Sequence, residues 1–363
     1  MDADPPFHEA YKTLFDKTIE RNTPRNQLID NKDNEQLVIV EECELPLIDL
    51  SRLNLGEPER EECKAEIARA SKEWGFFQVM KHGISTEILE KMRFEQERLF
   101  KQPFHEKSKE DKYLRFSAGS YRWGTPSATN LKQLSWSEAF HIPLIDISPS
   151  GGFDSLGRES STSNWVMWRT MLGHMDFTSS TTMEQFAATV SSLAQKLAGI
   201  LAEKVSHKST FFQENCLPNT CYLRMNHYPP CPIASEVFGL TPHTDSDFLT
   251  ILHQDQVGGL QLVKDGRWIS VKPNPEALII NIGDLFQAWS NDAYKSVQHR
   301  VVTNPLVERF STAYFFCPSY DTVIQSSCEP SVYRKFSFRE YREQVQADVQ
   351  KLGSKIGLPR FLA

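Results

Sequence analysis

The sequence predicts a mainly β fold with flanking helices, whose core is an antiparallel sandwich or barrel. Between residues 220 and 325, short β-branched and aromatic runs alternate with Pro and Gly, a pattern typical of many closely spaced strands. Before and after this region, apolar residues recur at helical spacing, which predicts helices. The runs predicted as strands are Cys221–Tyr228, Leu249–His253, Leu260–Val263, Ala277–Ile282, Val297–Val302 and Thr312–Phe316.

The first third of the chain predicts a mixture of short strands and helices. Residues 1–43 are polar and acidic, and we expect them to form a loosely attached leader. The run Leu45–Leu50 predicts a short strand, and Pro58 then opens a helix that Gly75 ends. Residues 75–79 predict a second strand.

The next elements are marked by their caps. Ser85 is placed to cap a helix that Pro103 ends. Residues 117–165 lack a helical period and predict loops and short strands. Thr181-x-x-Glu184 is a capping box and predicts the start of a long helix with an apolar stripe.

A second capping box, Ser337-x-x-Glu340, predicts a C-terminal helix that runs to about residue 352. The chain therefore divides into four predicted parts. They are a polar leader (1–43), an N-terminal helical and mixed region (44–215), the core (216–325), and a C-terminal helix and tail (326–363).

Composition excludes several classes of protein. The 363 residues carry a net charge of −7, which argues against nucleic acid or an anionic membrane as the main partner. The seven Cys include no CxxC, so neither a zinc ribbon nor a disulfide framework is indicated. No signal peptide and no uninterrupted apolar run of membrane-spanning length is apparent. We expect a cytoplasmic protein.

The residues most indicative of chemistry are His243, Asp245 and His299, called the triad below. Two imidazoles and one carboxylate on one face of a metal leave the opposite face open, which suits non-haem Fe(II). If His243 and Asp245 lie on one strand, their Cα atoms are roughly 6.6 Å apart and their side chains share a face. A His on a neighbouring strand can then complete the site.

A second His-x-Asp pair, His253 and Asp255, offers an alternative. On one extended strand it would lie roughly 33 Å from the first pair, so the two cannot share a metal. Residues 257–260 after it predict a turn, and no Arg-x-Ser lies at a matching distance. We therefore assign the metal to the first pair.

Arg309 and Ser311 share a strand face and offer a guanidinium fork plus a hydroxyl, a pair that holds a carboxylate well. Asn226 and Tyr228 share a face on another strand, and both can hydrogen-bond a carboxylate or a metal-bound 2-oxo acid. The alternative is a structural ion pair between Arg309 and a carboxylate such as Asp284. For Asp284 itself we expect a role in capping a turn.

Six short stretches carry a family resemblance that covers residues from about 45 to 330. They are Trp74–Val79 with His82-Gly83, Asn226–Cys231, His243–Asp245, Gly258–Gln261, Ser296–Val301 and Arg309–Ser311. In these motifs the chain resembles the plant 2-oxoglutarate- and Fe(II)-dependent dioxygenases. The resemblance implies a double-stranded β-helix (jelly-roll) core flanked by helices.

The same resemblance implies a division of work in the site. The triad would hold Fe(II), and the 2-oxo acid end of 2-oxoglutarate would chelate this metal. The far carboxylate would meet Arg309, Ser311 and Tyr228. Dioxygen is then the second cosubstrate, ascorbate the expected reductant, and succinate and carbon dioxide are released as a substrate C–H bond is hydroxylated.

A finer resemblance lies in three tracts, Tyr121–Pro126, Ser135–Phe140 and Phe315–Tyr320. In these the chain is similar to the gibberellin 2-oxidases, especially the subgroup that acts on twenty-carbon gibberellins. The implied reaction is 2β-hydroxylation, which inactivates the hormone or its precursors. Alternatives are another plant hydroxylase or desaturase (a gibberellin 20- or 3-oxidase, or one acting on a flavonoid or other diterpenoid) and a non-catalytic hormone-binding protein.

A diterpenoid acid needs an aromatic-lined cleft with a cation at its polar end. The candidate substrate-binding residues are Phe315, Arg224, Tyr121, Arg122 and Trp123. We expect either Arg122 or Arg224 to pair with the substrate carboxylate. The alternative is that Arg122 is a solvated loop residue and Trp123 a core anchor.

Overall fold

The computed structural model describes most of the chain. Described are residues 3–21, 40–108, 121–147, 177–205, 210–216 and 220–363. The predicted loops at 117–120 and 148–165 and the end of the predicted leader lie outside the described residues.

Two sheets form the core, as the jelly-roll expectation requires. The large sheet contains, in spatial order, β2 (Leu47–Asp49), β3 (Phe76–Met80), β11 (Leu278–Ile282), β8 (Leu249–Gln254), β13 (Arg309–Phe316), β6 (Tyr222–Tyr228), β5 (Glu138–Pro143) and β4 (Tyr121–Trp123). The smaller sheet contains β1 (Glu42–Cys43), β10 (Arg267–Val271), β9 (Leu260–Lys264), β12 (His299–Val302) and β7 (Phe238–His243). A separate pair joins β14 (Val323–Ile324) to β15 (Phe336–Ser337).

Helices flank these sheets. They are α1 (Phe7–Ala10), α2 (Lys12–Arg21), α3 (Glu59–Glu73), α4 (Thr86–Phe100), α5 (Phe104–Lys107), α6 (Phe177–Lys204), α7 (Phe211–Asn215), α8 (Asp284–Trp289) and α9 (Phe338–Leu352). Short 3₁₀ turns lie at Leu50–Asn54, Leu131–Gln133, Leu144–Asp146 and Leu358–Phe361. Within the described part of the chain, no helix is long and apolar enough to cross a membrane.

The apolar stripe of α6 forms much of the main core. Val190, Leu197 and Leu201 are completely buried there, among residues of α3, α4 and the large sheet. A long helix forms on this face because its apolar residues, at helical spacing, are all removed from water when the helix packs. The outer face of the large sheet is thereby covered, and its inner face is left for the site.

Both predicted serine caps are confirmed, and one capping box is not. The hydroxyl of Ser85 accepts from the backbone of α4, and that of Ser337 accepts from the Glu340 N–H at the start of α9. By contrast, α6 already begins at Phe177, so Thr181 lies inside the helix. The prediction of a helix start at Thr181 was wrong, because a Thr-x-x-Glu spacing also occurs in the interior of a helix.

Three strands of the smaller sheet were missed, β1, β7 and β10. Asp265 and Gly266 have positive φ angles of 50° and 75° and join β9 to β10 as a tight hairpin. Asp-Gly is a strong hairpin signal, and it could have identified β10. Gly239 and Pro242 weaken the strand pattern of β7, which explains why it was missed. There is little room for a side chain at position 239, because a Cβ there would lie 2.7 Å from the ring of Tyr228.

The start of the predicted leader is packed against the protein. Phe7 is buried and stacks on Trp136, with ring centroids 4.3 Å apart. The Tyr11 hydroxyl accepts a hydrogen bond of 2.8 Å from the Thr125 N–H. The expectation of loose attachment is therefore wrong for the segment Phe7–Phe15, because its aromatic side chains find apolar partners distant in sequence.

Candidate active site

The structure brings the three triad residues together. His243 ends β7 and His299 begins β12, and the two residues are register partners on neighbouring strands. Asp245 follows β7 in a turn rather than on the strand, so the expectation that it shares a strand face with His243 is wrong. Its Oδ1 nevertheless lies 3.6 Å from His243 Nε2 and 3.8 Å from His299 Nε2.

Backbone carbonyls orient both imidazoles. Nδ1 of His243 lies 2.8 Å from the Thr241 carbonyl oxygen, and Nδ1 of His299 lies 3.2 Å from that of Val297. Each ring therefore donates from Nδ1 and keeps Nε2 free as a lone-pair donor. Burial, together with the nearby His299, lowers the pKa of His243 well below its usual value, so this ring is neutral at neutral pH.

Two neighbours hold the carboxylate of Asp245. Its Oδ2 accepts from the Thr250 hydroxyl at 2.6 Å and from the Asn281 amide at 2.5 Å, while Oδ1 faces the imidazoles. Burial alone would raise the pKa of Asp245, but His299, His243 and the Thr250 hydroxyl lower it, so the group stays ionised. Neither Thr250 nor Asn281 was predicted from the sequence to belong to this site.

The donor set fits Fe(II). Two neutral imidazole nitrogens and one carboxylate oxygen, all within 4.8 Å of one another, form the facial arrangement of non-haem iron enzymes. The burial of two of the three residues and their fixed hydrogen bonds mean that little reorganisation would accompany metal binding.

The alternative His-x-Asp pair is engaged elsewhere. Nε2 of His253 lies 3.1 Å from the Pro275 carbonyl oxygen. Asp255 forms an ion pair of 2.9 Å with Arg93 and accepts from the Phe310 N–H at 2.6 Å. Within the described part of the chain, neither residue belongs to a group of three possible ligands, so the geometry favours the first pair, as predicted.

Arg309, the residue expected to hold the far carboxylate of 2-oxoglutarate, is a buried cation. Arg309 donates from Nη2 to Gln254 at 2.8 Å, contacts the Ser311 hydroxyl at 3.4 Å, and lies 4.9 Å from the Tyr228 ring centroid. Its Nε and the amide nitrogen of Gln254 have no hydrogen-bond partner among the described residues. Such unsatisfied donors are costly when buried, and a bound carboxylate would satisfy them.

The alternative ion pair between Arg309 and Asp284 is not formed. Asp284 is the first residue of α8 and instead pairs with Lys355 at 2.6 Å. Asn226, the other predicted cosubstrate contact, lies directly opposite Ser311 on β6 and donates to its hydroxyl at 3.3 Å. Gln254 was missed, although its alternation with Thr250 along β8 places it on the same face.

Register places two of the predicted substrate residues on the inner face of the large sheet. Directly opposed residues of neighbouring strands share a face. Phe315 opposes Thr250, which itself contacts Asp245, so Phe315 lies on the triad side. Its ring stacks on that of Tyr222, with centroids 4.5 Å apart. Arg224 lies on the same face, opposite Ala313.

The tract 121–123 is divided between the two faces of the sheet. Arg122 opposes Ala139, which opposes Asn226, so Arg122 lies on the inner face. Tyr121 and Trp123 lie on the outer face, where the Tyr121 hydroxyl donates to Glu138. Trp123 packs edge-on against Phe7, Tyr11 and Phe104. The structure thus separates Tyr121 and Trp123 from the other candidate substrate residues, and Trp123 is a core anchor.

Cationic groups meet at the edge of the inner face around His141. This residue opposes Arg224, and its Nδ1 has no hydrogen-bond partner among the described residues. Burial lowers the pKa of His141 well below its usual value, and Arg224, Arg122 and Arg342 lower it further. Arg342 belongs to α9 and had not been identified from the sequence. The region favours an anionic group of a ligand.

Comparisons with known proteins agree with this geometry. The model of the 2OG-Fe(II) oxygenase superfamily matches residues 219–318, and that of the non-haem dioxygenase in morphine synthesis N-terminal region matches residues 45–158. The crystal structure of JOX2 in complex with 2OG, Fe and JA aligns with a TM-score of 0.71 at 28% identity, over 92% of each chain.

Curated relatives are closer. Gibberellin 2-beta-dioxygenase 8 of Arabidopsis thaliana is 60% identical, covering 99% of this chain and 98% of the relative. Gibberellin 2-beta-dioxygenase 6 of Oryza sativa subsp. japonica is 46% identical over 99% and 96%. Gibberellin 20 oxidase 1 of Arabidopsis thaliana is 34% identical over 84% and 78%. The chain is therefore a dioxygenase that uses Fe(II) and 2-oxoglutarate, and it belongs to the gibberellin 2-beta-dioxygenase family of the 2OG-Fe(II) oxygenase superfamily.

Proposed function

We propose that this enzyme hydroxylates gibberellins at the 2β position and so removes their hormone activity. The observation that carries the proposal is the 60% identity, over nearly the whole length of both chains, to a gibberellin 2-beta-dioxygenase. The arrangement of the site supports it, because the metal triad, a carboxylate clamp and an aromatic, cationic inner face occur together.

The chain's own residues mainly bind and orient. When bound at the triad, iron supplies dioxygen activation coupled to decarboxylation of 2-oxoglutarate and to hydroxylation of a C–H bond. Arg309, with Ser311 and Gln254, would hold the far carboxylate of 2-oxoglutarate, so that its 2-oxo acid end points toward the metal. Thr250 and Asn281 keep the Asp245 carboxylate aimed at the same point.

The substrate would lie across the inner face next to the triad. The stacked rings of Phe315 and Tyr222 offer an apolar surface that excludes water from a diterpenoid skeleton. Arg122 and Arg224 lie on the same face and would attract its carboxylate. The reacting carbon is then selected by where these two anchors place the rigid ring system.

A gibberellin 20-oxidase activity is the second candidate, since such an enzyme also shares the iron site. The lower identity of 34% over a shorter alignment makes it the weaker one. A non-catalytic binding protein is disfavoured because all three metal ligands and the clamp are present and oriented.

A substrate panel tests the proposal. Purified enzyme with Fe(II), ascorbate and 2-oxoglutarate is given nineteen-carbon gibberellins, twenty-carbon gibberellins or a flavonoid, and succinate and product mass are measured. We expect gibberellins alone to gain one oxygen atom, and the panel compares the nineteen- and twenty-carbon forms directly. Product from the flavonoid only, or succinate release without gibberellin turnover, would refute the proposal. The Asp245→Ala variant is the inactive control.

A further inference from the structure

The turn that carries Asp245 is held by a lysine from the far C-terminus. The ammonium of Lys355 donates to the Thr244 carbonyl oxygen at 2.9 Å and to the Ser246 hydroxyl at 2.8 Å. It also pairs with Asp284 at 2.6 Å. Its three contacts therefore bind the residues on both sides of a metal ligand and connect them to α8.

Asp284 completes this connection. Its carboxylate also accepts from the Thr244 hydroxyl at 3.0 Å and from the Tyr341 hydroxyl of α9. Its backbone N–H donates to the Asp245 carbonyl oxygen at 3.0 Å. The Lys355 and Asp284 side chains are only 11% and 4% exposed, so their ion pair is weakly screened by water.

The local backbone brings Lys355 back to the turn. Helix α9 ends at Leu352, and the φ of 75° at the following Gly353 reverses the chain, as is common after a helix. Space around the turn is limited, because a Cβ at Gly283 would lie 2.2 Å from the Asp247 carbonyl oxygen. A Cβ at Gly357 would lie 3.2 Å from the Asp284 carboxylate. The C-terminal segment thus packs directly against the metal-binding turn.

The triad residues differ in how their main chains are fixed. His243 and His299 belong to paired strands, whereas Asp245 lies beyond the end of β7. We propose that Lys355 is a positioning residue of the iron site, which substitutes for the missing strand pairing by holding the Thr244 carbonyl and the Ser246 hydroxyl on the two sides of Asp245. This inference rests on the iron site and does not depend on which substrate is hydroxylated.

Metal affinity of the purified, metal-free protein tests the role of Lys355. Lys355→Met keeps the aliphatic stem and removes the ammonium. We expect anaerobic Fe(II) binding, measured by titration calorimetry, to weaken on the order of 10–100-fold, as for other residues that orient metal ligands. The charge-transfer absorption of the Fe(II)–2-oxoglutarate complex should shift as well, whereas Lys355→Arg should restore part of the affinity.

A matched control separates positioning from general stability. Arg360 pairs with Asp348 at 2.9 Å in the same C-terminal segment, and among the described residues its side-chain hydrogen bonds go to Asp348 and not to the turn. Arg360→Met should lower the thermal midpoint and leave Fe(II) affinity unchanged. Unchanged affinity in Lys355→Met, or equal losses in both variants, would overturn the inference. If Lys355→Met does not fold, Ser246→Ala removes one of the three contacts, and an affinity equal to wild type would overturn it.

Discussion

Single residues of the same type acquire different roles from their surroundings. Nδ1 of His243 lies against a backbone carbonyl oxygen, and Nε2 faces the Asp245 carboxylate. Nε2 is therefore left with a lone pair for a metal. His253 instead directs Nε2 at the Pro275 carbonyl oxygen. The ligand set could be predicted from spacing, because only one of the two His-x-Asp pairs is followed by a His and an Arg-x-Ser at the matching distances. The residues that orient it, such as Thr250 and Asn281, could not, because they depend on register across strands.

Iron content of variants tests this difference. His243→Ala, Asp245→Ala and His299→Ala should each lose bound iron and nearly all succinate production, because each removes one of three ligands. His253→Ala should retain both. The measurement is iron per mole of folded, purified protein, with circular dichroism to confirm folding. Loss of iron in His253→Ala with retention in His243→Ala would reverse the assignment.

The guanidinium of Arg309 is the next residue-level test. Arg309→Lys keeps the charge but cannot reproduce a two-pronged contact with a carboxylate. We expect weaker use of 2-oxoglutarate by about 1.5–3 kcal/mol, the scale of a charged hydrogen bond, which is roughly tenfold or more in its KM. The KM for gibberellin should change much less. Equal 2-oxoglutarate dependence in variant and wild type would mean that Arg309 serves the fold instead.

The substrate carboxylate provides a third test. Arg122 and Arg224 lie on the inner face, and we expect truncation of at least one to Ala to abolish the preference for a gibberellin acid over its methyl ester. The ratio of kcat/KM for acid and ester is the measurement. Lys132→Ala, a change at a lysine of the nearby 3₁₀ turn, serves as a charge-matched control. Retention of the wild-type ratio in both Arg variants would remove these residues from the pocket.

At the scale of elements, two of the three local cap signals predicted the start of a helix correctly. Ser85 and Ser337 cap helices as predicted, since a cap depends on neighbours three residues away. The packing of α1 could not be predicted, because Phe7 stacks on Trp136, more than a hundred residues away. The division of Tyr121, Arg122 and Trp123 between two faces required the pairing of β4 with β5.

The outer face of β6 carries a buried ionic group that makes stability depend on pH. Nδ1 of His227 lies 2.7 Å from Glu138, and Nε2 lies 3.0 Å from Glu308. Burial alone would lower the pKa of His227, but its hydrogen bonds with Glu138 and Glu308 outweigh that effect and raise it. A raised pKa in the folded state stabilises the protein below the unfolded pKa of about 6.5, and this contribution disappears as pH rises through the folded value.

Thermal unfolding of His227→Gln tests this linkage. The difference in thermal midpoint between wild type and variant should be largest below about pH 6.5 and should shrink as pH rises. Differential scanning calorimetry across that range measures it, and His105→Gln, at an exposed histidine, is the control. A difference that grows with increasing pH would contradict the assigned direction of the pKa shift.

At the scale of the whole molecule, the candidate active site is formed by residues of both sheets together with the C-terminal segment. The smaller sheet provides His243 and His299, and the large sheet provides Arg309 and Phe315. The C-terminal segment adds Lys355. The jelly-roll class could be predicted from short alternating runs and family motifs, but the substrate pocket could not. Its shape follows from how the sheets and α9 pack, which no short-range pattern encodes.

The position of oxygen insertion is the direct test of 2β-hydroxylation. Enzyme with Fe(II) and 2-oxoglutarate is given a gibberellin that carries deuterium at the 2β position, and product mass and succinate are measured together. We expect a product that has lost the deuterium and gained a hydroxyl group at that carbon, with one succinate formed per product. A hydroxylated product that retains the deuterium, or succinate formed without hydroxylated gibberellin, would contradict it.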